Sequence, residues 1–148
     1  PMEMTATTTP LVGALLALVL LTFIVGARLL FTRVQEMRRK RIHPQAAATS
    51  VQMAARLENV QAADNFRNLF EVPVMFYALV AVALATRHAP SWLVAGAWAF
   101  VALRVAHSVI HCTYNKVMHR LAVFLVSFAL LVALWIGFFV TLPGAHAA

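Results

Sequence analysis

Cysteine is almost absent from this chain. Cys112 is the only one in 148 residues, which excludes a disulfide framework and a thiolate-based zinc cage within one chain. Charge is scarce as well: 11% of residues are charged, against about 25% in an ordinary soluble domain. Acidic residues number only five. Glycine and proline are few, 5 and 6, so long uninterrupted helices are expected. Apolar residues fill the space, at 62% of the chain with a mean hydropathy of +0.81. Such a composition excludes an ordinary soluble enzyme. It excludes a disordered chain equally, because apolar content this high does not stay solvated. The solvent it suits is lipid.

Four apolar runs stand out: Leu11–Phe31, Leu69–Thr86, Trp92–Ile110 and Leu121–Leu142. A helix of about 20 residues spans a hydrocarbon core of about 30 Å, so each run is long enough, or nearly so, to cross a bilayer. The links between them differ. Residues 32–61 are long and basic, Arg87–Ser91 is tight, and Thr113–Arg120 is short and basic. Short links force antiparallel neighbours. The expected fold is therefore all-α, an integral membrane up-down four-helix bundle in one domain over residues 1–148. Its helices are expected at about 11–31, 66–86, 91–112 and 120–142. Good helix formers from Ala46 to Asp64 start the second helix before it enters lipid.

The net charge of +7 resembles a nucleic-acid signal until it is placed along the chain. Arg33, Arg38, Arg39, Lys40 and Arg41 fall in one stretch between two apolar runs, where they set topology and touch phospholipid. Nucleic acid is not an expected partner; membrane lipid is. With the first and third loops inside, eleven of the twelve Lys and Arg lie on the cytoplasmic side and only Arg87 lies outside. Both termini are then extracytoplasmic. The tail before Leu11 carries one charge, Glu3, and lacks the basic start of a cleavable signal, so the first run is expected to be retained.

Ionisable groups inside a span are costly, roughly 2.5–3.5 kcal/mol at its centre, and face partners. Arg67, Asn68 and Glu71 open the second span at i,i+3 and i,i+4 spacing, on one side of a helix. Arg104, His107, Ser108 and His111 make a second stripe on the third span. Antiparallel threading brings both stripes to the cytoplasmic leaflet, where Arg120 opens the fourth span. An excess of cations around one carboxylate makes a pocket suited to an anion. Plainer roles stand beside this one. Glu71 can pair with Arg104 or Arg67 to tie the bundle, Asn68 can bond across helices, and Arg120 can anchor at the interface. His107 and His111 lack acidic or thiol partners for a metal, and a bis-His haem draws on two helices, so neither is expected. Cys112 reads as packing, and Pro73 as a kink just past Glu71.

The segment Arg67-Asn68-Leu69-Phe70-Glu71-Val72-Pro73 resembles the R-N-x-x-E motif of the MAPEG family, the membrane-associated proteins in eicosanoid and glutathione metabolism. Arg104-Val105-Ala106-His107-Ser108 resembles that family's third-helix R-x-x-H segment, and the four-span layout with a long basic first loop agrees. The resemblance implies a homotrimer with glutathione as co-substrate, bound between subunits at the cytoplasmic leaflet. Arg67, Asn68 and Glu71 would hold the tripeptide, Glu71 at its ammonium group, with Arg104, His107 and His111 around it. Arg120 would stabilise the thiolate, which attacks a hydrophobic electrophile as in a glutathione transferase or peroxidase. The chain departs from the family at three places. His111 stands where the well-studied enzymes have Tyr, Asp64 and Phe66 replace basic residues, and the first-loop Arg matches either Gln35 or Arg38. The rival reading is a non-catalytic membrane protein or accessory subunit whose cationic pocket binds a phospholipid headgroup. A bacterial inner membrane is the expected location.

Overall fold

The computed structural model describes residues 2–58 and 60–143, with side chains from residue 6 onward. Glu3 and the two chain ends lie outside what is described at side-chain level. Among the described residues six α-helices form: α1 (Met2–Arg39), α2 (Ser50–Arg56), α3 (Gln61–Asn68), α4 (Val72–Ala85), α5 (Ser91–Cys112) and α6 (Val117–Thr141). A 3-10 turn, Pro44–Ala47, precedes α2. No strand occurs among the described residues. Among the same residues four helical stretches are long and apolar enough to cross a bilayer: α1, α3 continued by α4, α5 and α6.

α1 is longer than the apolar run that seeds it. Its 38 residues reach about 57 Å at 1.5 Å per residue, well beyond a hydrocarbon core of about 30 Å. The basic residues Arg33, Arg38 and Arg39 therefore ride on the helix and not in a loop. The helix ends where Arg41 takes φ 51 and the Ile42 amide bonds the Met37 carbonyl, a 6→1 closure of the Schellman type. α4 ends the same way, with Arg87 at φ 53 and the His88 amide on the Ala83 carbonyl. Neither site carries the glycine that usually marks such an end.

The second span is broken. α3 stops at Asn68 and α4 starts at Val72, with Glu71 at φ −91, ψ −87 between them. Pro73 accounts for the position of the break. Its ring collides with the carbonyl four residues back, that of Leu69, and it disfavours a helical conformation at Val72. The kink expected just past Glu71 is thus a full interruption, and it begins one turn earlier.

α5 is the hub of the bundle, packing on α1, α3 and α6, while α4 packs on α1 and α6. Leu11, Ala14, Leu18, Leu79, Val80, Leu93, Ala97 and Leu134 fill the core, and Phe76 stacks on Phe100 at 4.9 Å. Gly96 allows a close approach of α5 to α6, because a Cβ there would collide with Leu134 Cδ2 and that side chain would have to move. The exterior is apolar, with Phe23, Phe31, Leu30, Ile136 and Phe139 all more than half exposed. Asn65, Arg104, His107, Ser108, His111 and Ser127 are buried. Charge inside and hydrocarbon outside is the distribution that lipid selects and water penalises. The protein is an integral multi-pass membrane protein.

Candidate functional site

The polar seam lies where α5 ends and α3 and α6 begin. Arg104, His107 and His111 fall on one face of α5, and all three are 2% exposed or less. Arg104 Nη2 donates to the Asn68 carbonyl at a long 3.4 Å, while its Nε and Nη1 have no partner. Among the described residues no carboxylate comes within 4 Å of it. Neither ring nitrogen of His107 is hydrogen-bonded; its ring packs edge-on to His111 at 5.7 Å and against Phe124 at 6.1 Å. Leaving so many buried donors unmet costs about 1–3 kcal/mol each. That cost marks a place where something else belongs.

Arg120 opens onto this seam from α6. Its Nη1 donates to His111 Nε2 at 3.0 Å and to Asn115 Oδ1 at 2.9 Å. Asn115 reaches this position because it takes φ 45, a left-handed conformation that Asn tolerates better than most residues. The loop is fixed by the Asn115 amide bonding the Ile110 carbonyl at 2.8 Å. Asn68, His107, Val117, Arg120, Leu121 and Phe124 line a cleft of about 230 Å³. One wall is polar and cationic, the other apolar. Sites that engulf a small molecule alone span roughly 300–1,000 Å³, so this cleft holds part of such a molecule.

The structure gathers Asn68, Arg104, His107, His111 and Arg120. It does not gather Arg67 and Glu71 with them. Arg67 is exposed and lines a separate small cavity with Arg33 and Asp64. Adjacent positions on a helix point about 100° apart, and the break after Asn68 removes the i,i+4 register that would align Arg67 with Glu71. Glu71 is exposed at the start of α4, making no ion pair within 4 Å among the described residues. Glu71 thus makes no direct ion pair with Arg104 or Arg67 among the described residues, although its charge acts on Arg104 from farther off. Gln35 and Arg38 lie on α1 and border a groove with Leu30, Phe31 and Val34, apart from the Arg120 cleft.

Three polar residues matter here that the spacing argument passed over. Asn65 is fully buried; it accepts from the Ser108 hydroxyl at 3.3 Å and donates to Cys112 Sγ at 3.4 Å. Its position three residues before Asn68 was the available signal. Asn115, in a short helix–helix link, is a residue type that marks left-handed turns. Arg28, the one charge in the first apolar run, donates to the Cys112 carbonyl at 2.7 Å and closes the end of α5. Among the described residues no cluster of three His, Cys, Asp or Glu could hold a metal ion.

Neither a curated protein nor a solved structure matches the chain. A family-wide sequence profile does, that of the MAPEG family, over residues 11–140. Those residues hold nearly all of the four spans, the R-N-x-x-E segment, the buried Arg104-to-His111 face and Arg120. By sequence and by its bundle of four apolar spans, the chain belongs to the MAPEG family.

Proposed function

We propose that the protein is a glutathione-using membrane enzyme, a transferase or peroxidase acting on lipophilic electrophiles, with Arg120 as the counter-charge of the reacting thiolate. The observation that carries this reading is the Arg120 cleft, where a permanently charged guanidinium stands opposite the apolar side chains of Leu121 and Phe124. A cation beside a thiol favours its charged form, and the thiolate is the nucleophile. In the transferase reaction the thiol gives its proton to water, sulfur forms a bond to the electrophilic carbon, and the electron pair either leaves with the displaced group or enters a conjugated acceptor that then takes a proton back from water. Arg104, His107 and His111 supply unmet buried polar atoms, and Asn68 adds to the polar wall for the tripeptide. Arg67 and Glu71, turned outward, are available to a molecule shared with a neighbouring copy. The small cleft and these two outward groups favour sites completed between subunits, and the family resemblance implies that the assembly is a homotrimer.

The basic residues cluster where α1 and α5 end and α3 and α6 begin, whereas Arg87 stands at the other end. The positive-inside rule places the cleft at the cytoplasmic leaflet and both termini outside, as in a bacterial inner membrane. A second reading has one observation in its favour. Val117 and Leu121, on the rim of the cleft, are exposed and face lipid, so a phospholipid headgroup could reach Arg120 directly.

Calorimetric titration of glutathione into the detergent-purified oligomer tests the choice. Saturable binding, weakened at least tenfold by Arg120→Ala, is expected. No binding at millimolar glutathione to folded oligomer would overturn the enzymatic reading, and an anionic lipid retained by the native protein and lost in Arg120→Ala would establish the other.

A further inference from the structure

Arginine only donates hydrogen bonds and stays protonated in proteins. The 3.0 Å contact between Arg120 Nη1 and His111 Nε2 therefore requires a lone pair on Nε2. That fixes the ring as neutral with its proton on Nδ1, an atom that is buried and has no acceptor among the described residues. Asn115 Oδ1 takes the same Nη1 at 2.9 Å, while Nε and Nη2 of Arg120 make no hydrogen bond within the described chain. Both restraints thus act on one nitrogen and leave the rest of the guanidinium to the cleft. One restraint titrates and the other does not.

We propose that His111, with Asn115, is a positioning residue: its neutral ring holds the Arg120 guanidinium in the cleft through the Nε2 lone pair, and protonation of the ring releases it. A protonated imidazole has no lone pair to offer, so two donors, both cationic, would face each other across 3.0 Å. Arg120 then keeps only its bond to Asn115, in a loop and not on a helix. The charged and titratable groups around His111 are Asp64 from α3, Arg104 and His107 from its own helix and Arg120 from α6. Arg28 of α1 reaches the backbone of the next residue, Cys112. The geometry needs no ligand, but its consequence for thiol binding rests on the reading of Arg120 given above. A residue that does not titrate could not supply this control.

The test has two arms. In the first, nitrogen NMR of histidine-labelled protein in micelles, with the His111 signal assigned by its loss in His111→Gln, should show a pyridine-type Nε2 and a protonated Nδ1 at neutral pH. Arg120→Ala should move that signal. A protonated Nε2 in the neutral ring overturns the proposal whether or not glutathione binds. In the second arm, glutathione affinity is measured against pH. It should fall about tenfold, the size of one charge-assisted hydrogen bond, at the pH where the His111 signal itself titrates. His111→Gln, which keeps an acceptor near the Nε2 position, should abolish that inflection. Asn115→Ala, lacking the restraint that does not titrate, should deepen it. An inflection that survives in His111→Gln, or one made shallower by Asn115→Ala, overturns the proposal. If glutathione fails to bind at any pH, the enzymatic reading falls and the first arm alone decides the clasp.

Discussion

Arg104→Met isolates the stability cost of the polar seam. In the native chain the guanidinium is completely buried, with two nitrogens unpartnered and a third held by one 3.4 Å bond. Each unmet buried donor costs about 1–3 kcal/mol, and the long bond returns about 1 kcal/mol or less. Methionine fills much the same volume without donors or charge. Glu71 offsets that cost only from beyond ion-pair distance, and replacing buried ionic groups by apolar residues of similar volume ranges from neutral to stabilising by about 1–4 kcal/mol. The variant is therefore expected to resist unfolding at least as well as the native protein, by up to about 4 kcal/mol more. The assay is an SDS titration of the ligand-free protein in mixed micelles, followed by helical circular dichroism at one protein concentration, because oligomer stability depends on concentration. The same variant should lose affinity for glutathione, exchanging a binding group for stability. If Arg104→Met instead unfolds at lower SDS by 1 kcal/mol or more, Arg104 is a structural strut with a partner across a subunit boundary, and the strain argument fails.

Two further outcomes follow from contacts away from the cleft. A Cβ on Gly26 would lie 3.0 Å from Phe66 Cε2, so Gly26→Leu pushes α3 off α1. It should cost about 1–3 kcal/mol by overpacking and weaken glutathione binding through Asn68; a variant with native affinity would show that α3 tolerates the shift. Lys40 bridges Glu36 at 2.9 Å and Glu58 at 2.8 Å, pinning the segment after α1. Hydrogen bonds to Glu58 and then Glu36 raise its pKa above the usual 10.5. A raised lysine pKa gives stability that is full below the unfolded value and lost as pH climbs through the folded one. A nitroxide at Ala48→Cys, in a Cys112→Ser background, should stay ordered up to pH about 10.5 and loosen only above it. Loosening well below that pH would refute the bridge.

Much of the architecture was legible because lipid imposes strong rules. Leu11–Phe31 and Leu121–Leu142 could be little else than spans, and the 104/107/111 face was plain from helical spacing. What was hidden was backbone irregularity. Reading Arg67, Asn68 and Glu71 as one face presumes an unbroken helix, yet Pro73 acts back to Leu69 and divides the segment. Arg33 and Arg38 read as loop residues because they are charged, but a helix leaving the bilayer loses nothing by carrying charge into water. Asn115 was invisible for another reason: its role depends on a left-handed backbone conformation, which spacing does not encode.

The interrupted second span also bears on how the chain enters a membrane. α4 has 14 residues, about 21 Å of helix, too short to cross a hydrocarbon core of about 30 Å unaided. Its extension, α3, brings Asp64, Arg67 and Asn68, while α5 brings Arg104, His107 and His111. Neither is a favourable passenger alone during synthesis. The tight turn after Arg87 delivers the two together, so that the Ser108 hydroxyl finds Asn65 and Arg104 finds the Asn68 carbonyl before either meets lipid. Insertion of the two as one helical hairpin between self-sufficient spans is therefore expected, and lengthening that turn should lower membrane integration, read by protease protection, before it touches any chemistry.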